Sequence, residues 1–348
     1  MSGRAKKESL RALARPLTLL LLFVCCVAQI ARGQQARQLP RPTPAIRVTS
    51  SSVDVNVIVT DSHGRFAGGL DRKDFRVFDD GIERPIMSYA SNQDPSHVVL
   101  MIESGTADFL FGKLGRSPFI RADGLLDQMS PTDQLSIVTY SDRAYVDLDF
   151  TPDKLAAHYG LQRLNMLLIN GAVGSNSMEL SSSLAAVLYW LRKFPGKKAI
   201  VLLSTGIDSS RPEYRQLAED ELRTSDVPIL AVSMFGDFRK LPGHRILNTD
   251  EREERAYVKQ GMSDADRWLE LLVRATGGRI YLPKSVKDFD EAYAQIAQLV
   301  RGEYNLGFVP SVVDGKVHAI TVKVNHPWYR SYHVEYRQAY TAGATFPD

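Results

Sequence analysis

Seven histidines and two cysteines are the residues of this chain best equipped for specific chemistry, and their spacing removes most of the options. The histidines are His63, His97, His158, His244, His318, His326 and His333. No two of them stand four residues apart, so no helix turn offers a pair to zinc, and no His-Glu-x-x-His occurs. His326 and His333 flank a Trp-Tyr turn and read as surface imidazoles. Serines are plentiful, yet there is no Gly-x-Ser-x-Gly elbow. Neither a phosphate-cradling Gly-x-x-x-x-Gly-Lys-Ser/Thr loop nor a Gly-x-Gly-x-x-Gly turn follows the first parallel strand. No motif favours an enzyme. The expectation is a non-enzymatic protein, with an uncharacterised hydrolase as an alternative.

Two segments suggest contact rather than catalysis. Residues 104–117 hold the apolar run Phe109-Leu110-Phe111 in a loop. Exposed, Phe109 and Phe111 would form a patch for a partner; folded back, they would plug the end of a sheet. Residues 236–263 carry the charged run Asp250–Arg255, which reads as a solvated helix.

These residues need elements to position them, and composition sets the frame. The 348 residues are 44% hydrophobic and 24% charged, an ordinary globular balance that allows about two domains. The net charge of +3 is concentrated at one end: residues 1–33 hold six basic side chains against Glu8. The rest is mildly acidic, which gives no electrostatic basis for binding nucleic acid. Within residues 1–33 a basic start precedes the apolar stretch Leu17–Ala28 and then Ala31-Arg32-Gly33. That order reads as a secretory signal peptide, cleaved after Gly33, whose apolar core is too short to span a bilayer. The expected location is therefore periplasmic or extracellular, with no membrane contact after cleavage. Cys25 and Cys26 both leave with the segment, so the mature chain has no disulfide, thiolate metal site or cysteine nucleophile. Residues 34–45, rich in Gln and Pro, read as an extended linker.

Alternation of two marks strands near both ends. Val53, Val55, Val57 and Val59 alternate with polar residues, as do Phe75 and Val77 before the turn Asp79-Asp80-Gly81. Tyr304, Leu306 and Phe308, then Ile320, Val322 and Val324, then Tyr332, Val334 and Tyr336 repeat the pattern. Residues 46–93 and 303–342 are expected to share one antiparallel β-sandwich, because separate strand pairs would leave more open edges. Residues 96–302 alternate differently. Short apolar runs (98–102, 135–140, 199–203, 228–234) are separated by amphipathic helix candidates near 118–129, 154–168, 179–194, 212–224, 264–275 and 286–302. The pattern predicts an α/β domain with a doubly wound, mostly parallel sheet inserted into the sandwich. Ligands of such a sheet sit at the carboxyl ends of its strands.

The order VVLMIESGT (98–106), GSNSMELSSSLAAVL (174–188), Gly196-Lys197-Lys198, AIVLLSTGID (199–208) and Thr276-Gly277-Gly278 resembles a von Willebrand factor type A domain. It is most similar to the VWFA-related family of secreted bacterial proteins, whose upstream Asp-Phe-x-Val-x-x-Asp-Gly is matched by Asp74–Gly81. The resemblance covers roughly residues 50–340. It implies recognition of, or adhesion to, another protein, often through a divalent cation held by an Asp-x-Ser-x-Ser loop, a threonine and an aspartate.

This chain departs from that pattern at each anchor. Glu103 stands in place of the first aspartate, Met178 near the threonine position, and Ser204-Thr205-Gly206 where the last aspartate belongs. A rearranged Mg²⁺ or Ca²⁺ site would draw on Glu103, Ser104, Thr106, Ser177, Thr205 and Asp208. With neither expected aspartate present, the expectation is a degenerate site and no cofactor. Asp208 joins Phe109 and Phe111 as an expected contact for a protein partner.

Overall fold

Valine alternating with polar residues sends Val53, Val55, Val57 and Val59 to one side of strand β1 (Val53–Thr60), where all four are buried. The computed structural model describes residues 36–41, 52–62, 66–91, 94–105, 119–169, 177–234, 263–325 and 333–342. Strand β2 (Phe75–Asp79) turns into β3 (Ile82–Arg84) through Asp80-Gly81. Both turn residues have positive φ, +49° and +82°, the type I′ geometry that an Asp-Gly pair tolerates. Strand β4 is Ile86–Ala90.

The partners of these strands come from the far end of the chain. Strand β11 (Glu303–Phe308) pairs antiparallel with β1, setting Leu306 opposite Val55 and Tyr304 opposite Val57. One sheet runs β13 (His333–Tyr336), β1, β11, β4; the other runs β14 (Ala339–Thr341), β12 (Val317–Val324), β2, β3. Between them lies one core built from Val55, Val57, Phe75, Val77, Tyr304, Leu306, Phe308, Ile320, Val322 and Tyr340. The terminal strands therefore form the expected sandwich, because neither set has enough strands to enclose a core alone.

The inserted domain is doubly wound. Strands β5 (Ser96–Glu103), β6 (Gln134–Tyr140), β7 (Ala144–Thr151), β8 (Lys197–Ser204), β9 (Ile229–Ser233) and β10 (Arg279–Tyr281) line up as β7-β6-β5-β8-β9-β10. All neighbours are parallel except β7, which returns antiparallel beside β6. β5 is central and apolar throughout its middle because both its faces are covered. Val98, Leu100 and Ile102 enter one core; Val99 and Met101 enter the other. Among the described residues six helices flank the sheet: α1 (Phe119–Gln128), α2 (Lys154–Ile169), α3 (Leu180–Leu191), α4 (Pro212–Thr224), α5 (263–275) and α6 (Val286–Gly302). In α3 Leu184, Leu188 and Leu191 recur at helical spacing, and nearly the whole helix is buried.

Every residue of β11 is buried, because it faces the sandwich core on one side and the α/β domain on the other. On the second side Asn305 Nδ2 donates to Asn56 Oδ1 at 2.8 Å, and the Asn56 amide donates to the Asp226 carbonyl. Buried Arg337 clamps the same junction, donating to the Ser225 carbonyl at 2.7 Å and the Asp54 carbonyl at 2.5 Å. Residues 38–348 thus form one unit.

The expected linker is partly docked. Leu39 is buried and its N–H donates to the Ala144 carbonyl at 3.0 Å, while Arg41 reaches Glu179 and lies over the Tyr214 ring. An apolar side chain that finds a hydrophobic cleft overrides a linker-like composition. Among the described residues no helix is long and apolar enough to cross a membrane. The expected signal segment, residues 1–33, lies outside the described residues.

Candidate functional site

In the sheet order, the chain winds one way from β5 to β6 and the other way from β8 to β9. The crevice outside the carboxyl ends of β5 and β8 is the topological switch point, where doubly wound sheets place their ligands. Glu103 ends β5, and Ser204 ends β8 with Thr205 directly after it. Strand register therefore brings Glu103, Tyr140, Ser204 and Thr205 together without help from any loop.

Glu103 is fully buried, and among the described residues its hydrogen-bond partners are donors. Its Oε2 accepts from the Thr205 N–H at 2.8 Å, the Tyr140 hydroxyl at 2.9 Å and the Ser204 hydroxyl at 3.0 Å. The Thr205 hydroxyl lies 2.8 Å from Oε1 and 2.9 Å from Oε2. Tyr140 and Ser204 are themselves in contact at 2.6 Å, and the Gly206 N–H donates to Ser204 Oγ. Burial raises the pKa of Glu103, and the bonds from Thr205, Tyr140 and Ser204 pull against that rise. Burial, with the charge of Glu103 beside it, raises Tyr140 well above the usual phenol value.

Gly206 follows with φ of +80°, and a Cβ there would meet the Ala265 carbonyl oxygen at 2.4 Å. The chain can turn away from β8 toward Asp208 only with glycine at this position.

The side chain of Asp208 is largely covered in a neighbouring arrangement. It accepts from the Ser181 N–H and hydroxyl at the start of α3 and from the Ser210 N–H at 3.0 Å, and Arg215 Nε lies 3.4 Å away. The carboxylate thus caps a helix N-terminus. Ser177 Oγ contacts Ser209 Oγ at 3.3 Å, and Met178 is buried with its N–H on Ser209 Oγ. Ser104 turns away, since both its N–H and its hydroxyl donate to the Tyr140 carbonyl.

The structure brings Glu103 and Thr205 into one cluster and sets Asp208 and Ser177 in another. Thr106, Phe109 and Phe111 lie outside the described residues. Sequence reasoning missed Tyr140 and Ser204, although both end recognisable strands, and it missed Ile207, an exposed apolar residue between Gly206 and Asp208.

A dication needs several oxygen lone pairs aimed at a single point. The described residues do not fit that need. Glu103 oxygens are already faced by three side-chain hydroxyls and a backbone N–H, and the Asp208 oxygens are taken by α3, Ser210 and Arg215. A carboxylate offers about four acceptor directions; at Glu103 the Thr205 N–H and hydroxyl and one proton of the Tyr140–Ser204 pair take three of them, the other proton of that pair serving its own 2.6 Å contact.

No protein-family model and no curated protein matches the chain. Among solved structures it is similar to a von Willebrand factor type A protein from Catenulispora acidiphila, at 10% identity over 85% of this chain and 75% of that one, with a TM-score of 0.43. It is also similar to the conserved hypothetical protein BatB from Bacteroides thetaiotaomicron, at 10% identity over 60% of this chain and 100% of that one, with a TM-score of 0.39. The manganese-loaded TRAP protein of Plasmodium vivax is similar at 12% identity over 76% of this chain and 98% of that one, with a TM-score of 0.37. The strand order and flanking helices of the central domain are those of a doubly wound α/β fold.

Proposed function

We propose that this chain, a type A-like domain seated on a β-sandwich, is an exported, non-enzymatic module that recognises another protein through its switch-point face without a divalent cation. The observation that carries the reading is the enclosure of Glu103 by donors from Tyr140, Ser204 and Thr205. Protons from neighbouring groups occupy most of the acceptor positions that a metal would use, so the face is held in shape from within. Exposed Ile207 then offers shape and apolar contact, with Phe109 and Phe111 as the proposed additional contacts. Export rests on the order of basic, apolar and small residues in positions 1–33.

The test is affinity capture with residues 34–348 from the native envelope, run in Mg²⁺ and again in chelator. The same partner should be recovered under both conditions and lost with a combined Ile207→Asp, Phe109→Ala, Phe111→Ala variant that keeps the wild-type melting temperature. Capture that needs Mg²⁺ would replace this reading with cation-dependent adhesion.

A further inference from the structure

The sandwich holds a second polar cluster far along the chain from the switch point. His318, near the start of β12, is buried, and each ring nitrogen faces a carboxylate. Nδ1 lies 2.7 Å from Asp80 Oδ2 in the β2–β3 turn, and Nε2 lies 2.9 Å from Asp314 Oδ1 in the turn before β12. An ionised carboxylate only accepts, so both contacts are hydrogen bonds only when both ring nitrogens carry protons. A neutral imidazole would set its bare nitrogen against an anion. Both acids are held independently: the Ala319 N–H donates to Asp80 Oδ1 and the Lys316 N–H donates to Asp314 Oδ1. The ring also lies against Tyr340, with centroids 5.6 Å apart.

Metal binding is the competing use of this cluster, since ligand atoms of Asp79, Asp80 and His318 come within 4.8 Å of one another. The partners of Asp79 argue against it. Its oxygens accept from the Ser311 N–H at 3.0 Å, the Ser311 hydroxyl and the Tyr340 hydroxyl, and Arg84 Nε sits 3.5 Å away. A guanidinium beside the cluster already supplies the positive charge. The site is built for a proton.

We propose that His318 is a proton-operated clip that ties the Asp80-Gly81 turn to the 309–317 crossover between the two sheets, holding the end of the sandwich closed in mildly acidic surroundings and loosening it in alkaline ones. The segment it would loosen is apolar: Val309, Val312, Val313 and Val317 on that crossover are all about half exposed or more. The charged and titratable groups around the ring are Asp80 and Asp79 from the β2–β3 side, Arg84 through Asp79, Asp314 and Lys316 from the turn before β12, and Tyr340 from β14.

The sign follows from the two acids. Hydrogen bonds to Asp314 and Asp80 raise the pKa of His318 above its ordinary 6.5. The clip therefore contributes fully below about pH 6.5 and is lost as pH rises through the higher folded-state value. At the acid end it is lost as pH falls through the lowered values of Asp80, held chiefly by the Ala319 N–H, and Asp314, held chiefly by His318.

The experiment is a pH titration of the histidine ring carbons by NMR on isotope-labelled mature chain, with His318→Gln assigning the signal. Amide exchange across residues 309–320 is followed in parallel. The His318 midpoint should stand above 6.5 and fall in both Asp80→Asn and Asp314→Asn. Exchange in the crossover should quicken about tenfold beyond the chemical rate between pH 6 and pH 9 in wild type, and not in His318→Gln. Asp314→Asn, at a solvent-facing turn, serves if His318→Gln fails to fold. A midpoint at or below 6.5 would overturn the clip, and so would a midpoint that moves on addition of Zn²⁺, which would make the cluster a metal centre.

Discussion

Tyr140 and Glu103 are register partners at the last positions of β6 and β5, and the phenol hydroxyl stands 2.9 Å from the Glu103 carboxylate. Two parallel strands thus end in a buried acid–phenol contact at the point where the sheet reverses its winding. Ser204 and Thr205 close it from β8, so three adjacent strands depend on one carboxylate.

Replacing Glu103 separates shape from charge. Glu103→Ala leaves the Thr205 N–H and hydroxyl and one hydroxyl of the Tyr140–Ser204 pair buried without their acceptor, and should cost about 3 kcal/mol in urea unfolding. Glu103→Gln keeps one carbonyl oxygen and should cost less than half as much. Equal losses for the two variants would mean that packing, not acceptor capacity, is what Glu103 supplies.

Glu303 gives a pH-dependent stability. It is buried at the first position of β11, and burial pushes its pKa up to about 8 against an ordinary 4.5, while Lys197 opposes the rise. The folded chain then holds this proton more tightly than the unfolded chain does. The contribution is complete below about pH 4.5 and is lost as pH rises through about 8. Melting temperature measured across this window should fall with pH more steeply in wild type than in Glu303→Gln. Parallel curves would remove Glu303 as the source.

Asp208 acts on stability through α3. Its carboxylate satisfies the Ser181 N–H at the helix start. Asp208→Ala should destabilise by about 1 kcal/mol in chemical denaturation, and Asp208→Asn by less, as at other helix caps. Mg²⁺ should change neither value; a Mg²⁺-dependent gain confined to wild type would speak for a metal role.

Arg337 couples the two parts of the molecule. Its guanidinium bonds to the Asp54 carbonyl in the sandwich and to the Ser225 carbonyl beyond α4. Arg337→Met should cost about 3 kcal/mol, because two junction carbonyls lose a charged donor. Calorimetry should then resolve two transitions where wild type shows one. A single transition at lower temperature would mean that β11 alone holds the parts together.

The chain by itself determined its periods. Alternating Val53–Val59, Tyr304–Phe308 and Ile320–Val324 required half-covered strands, and the apolar runs at 98–102 and 199–203 required covered parallel ones, because burial follows side-chain spacing along a strand. It also determined the Asp80-Gly81 turn, since few other residue pairs accept positive φ twice in succession. Tertiary structure alone decided who meets whom. Glu103 meets Thr205, and His318 meets Asp80, across separations of 102 and 238 residues. Local propensity carries no record of such distances. Oxygen-bearing residues near the strand ends looked like potential cation ligands because composition shows which atoms could accept. Only register and crossover order show that protons from Tyr140, Ser204, Ser181 and Ser210 were aimed at the same lone pairs.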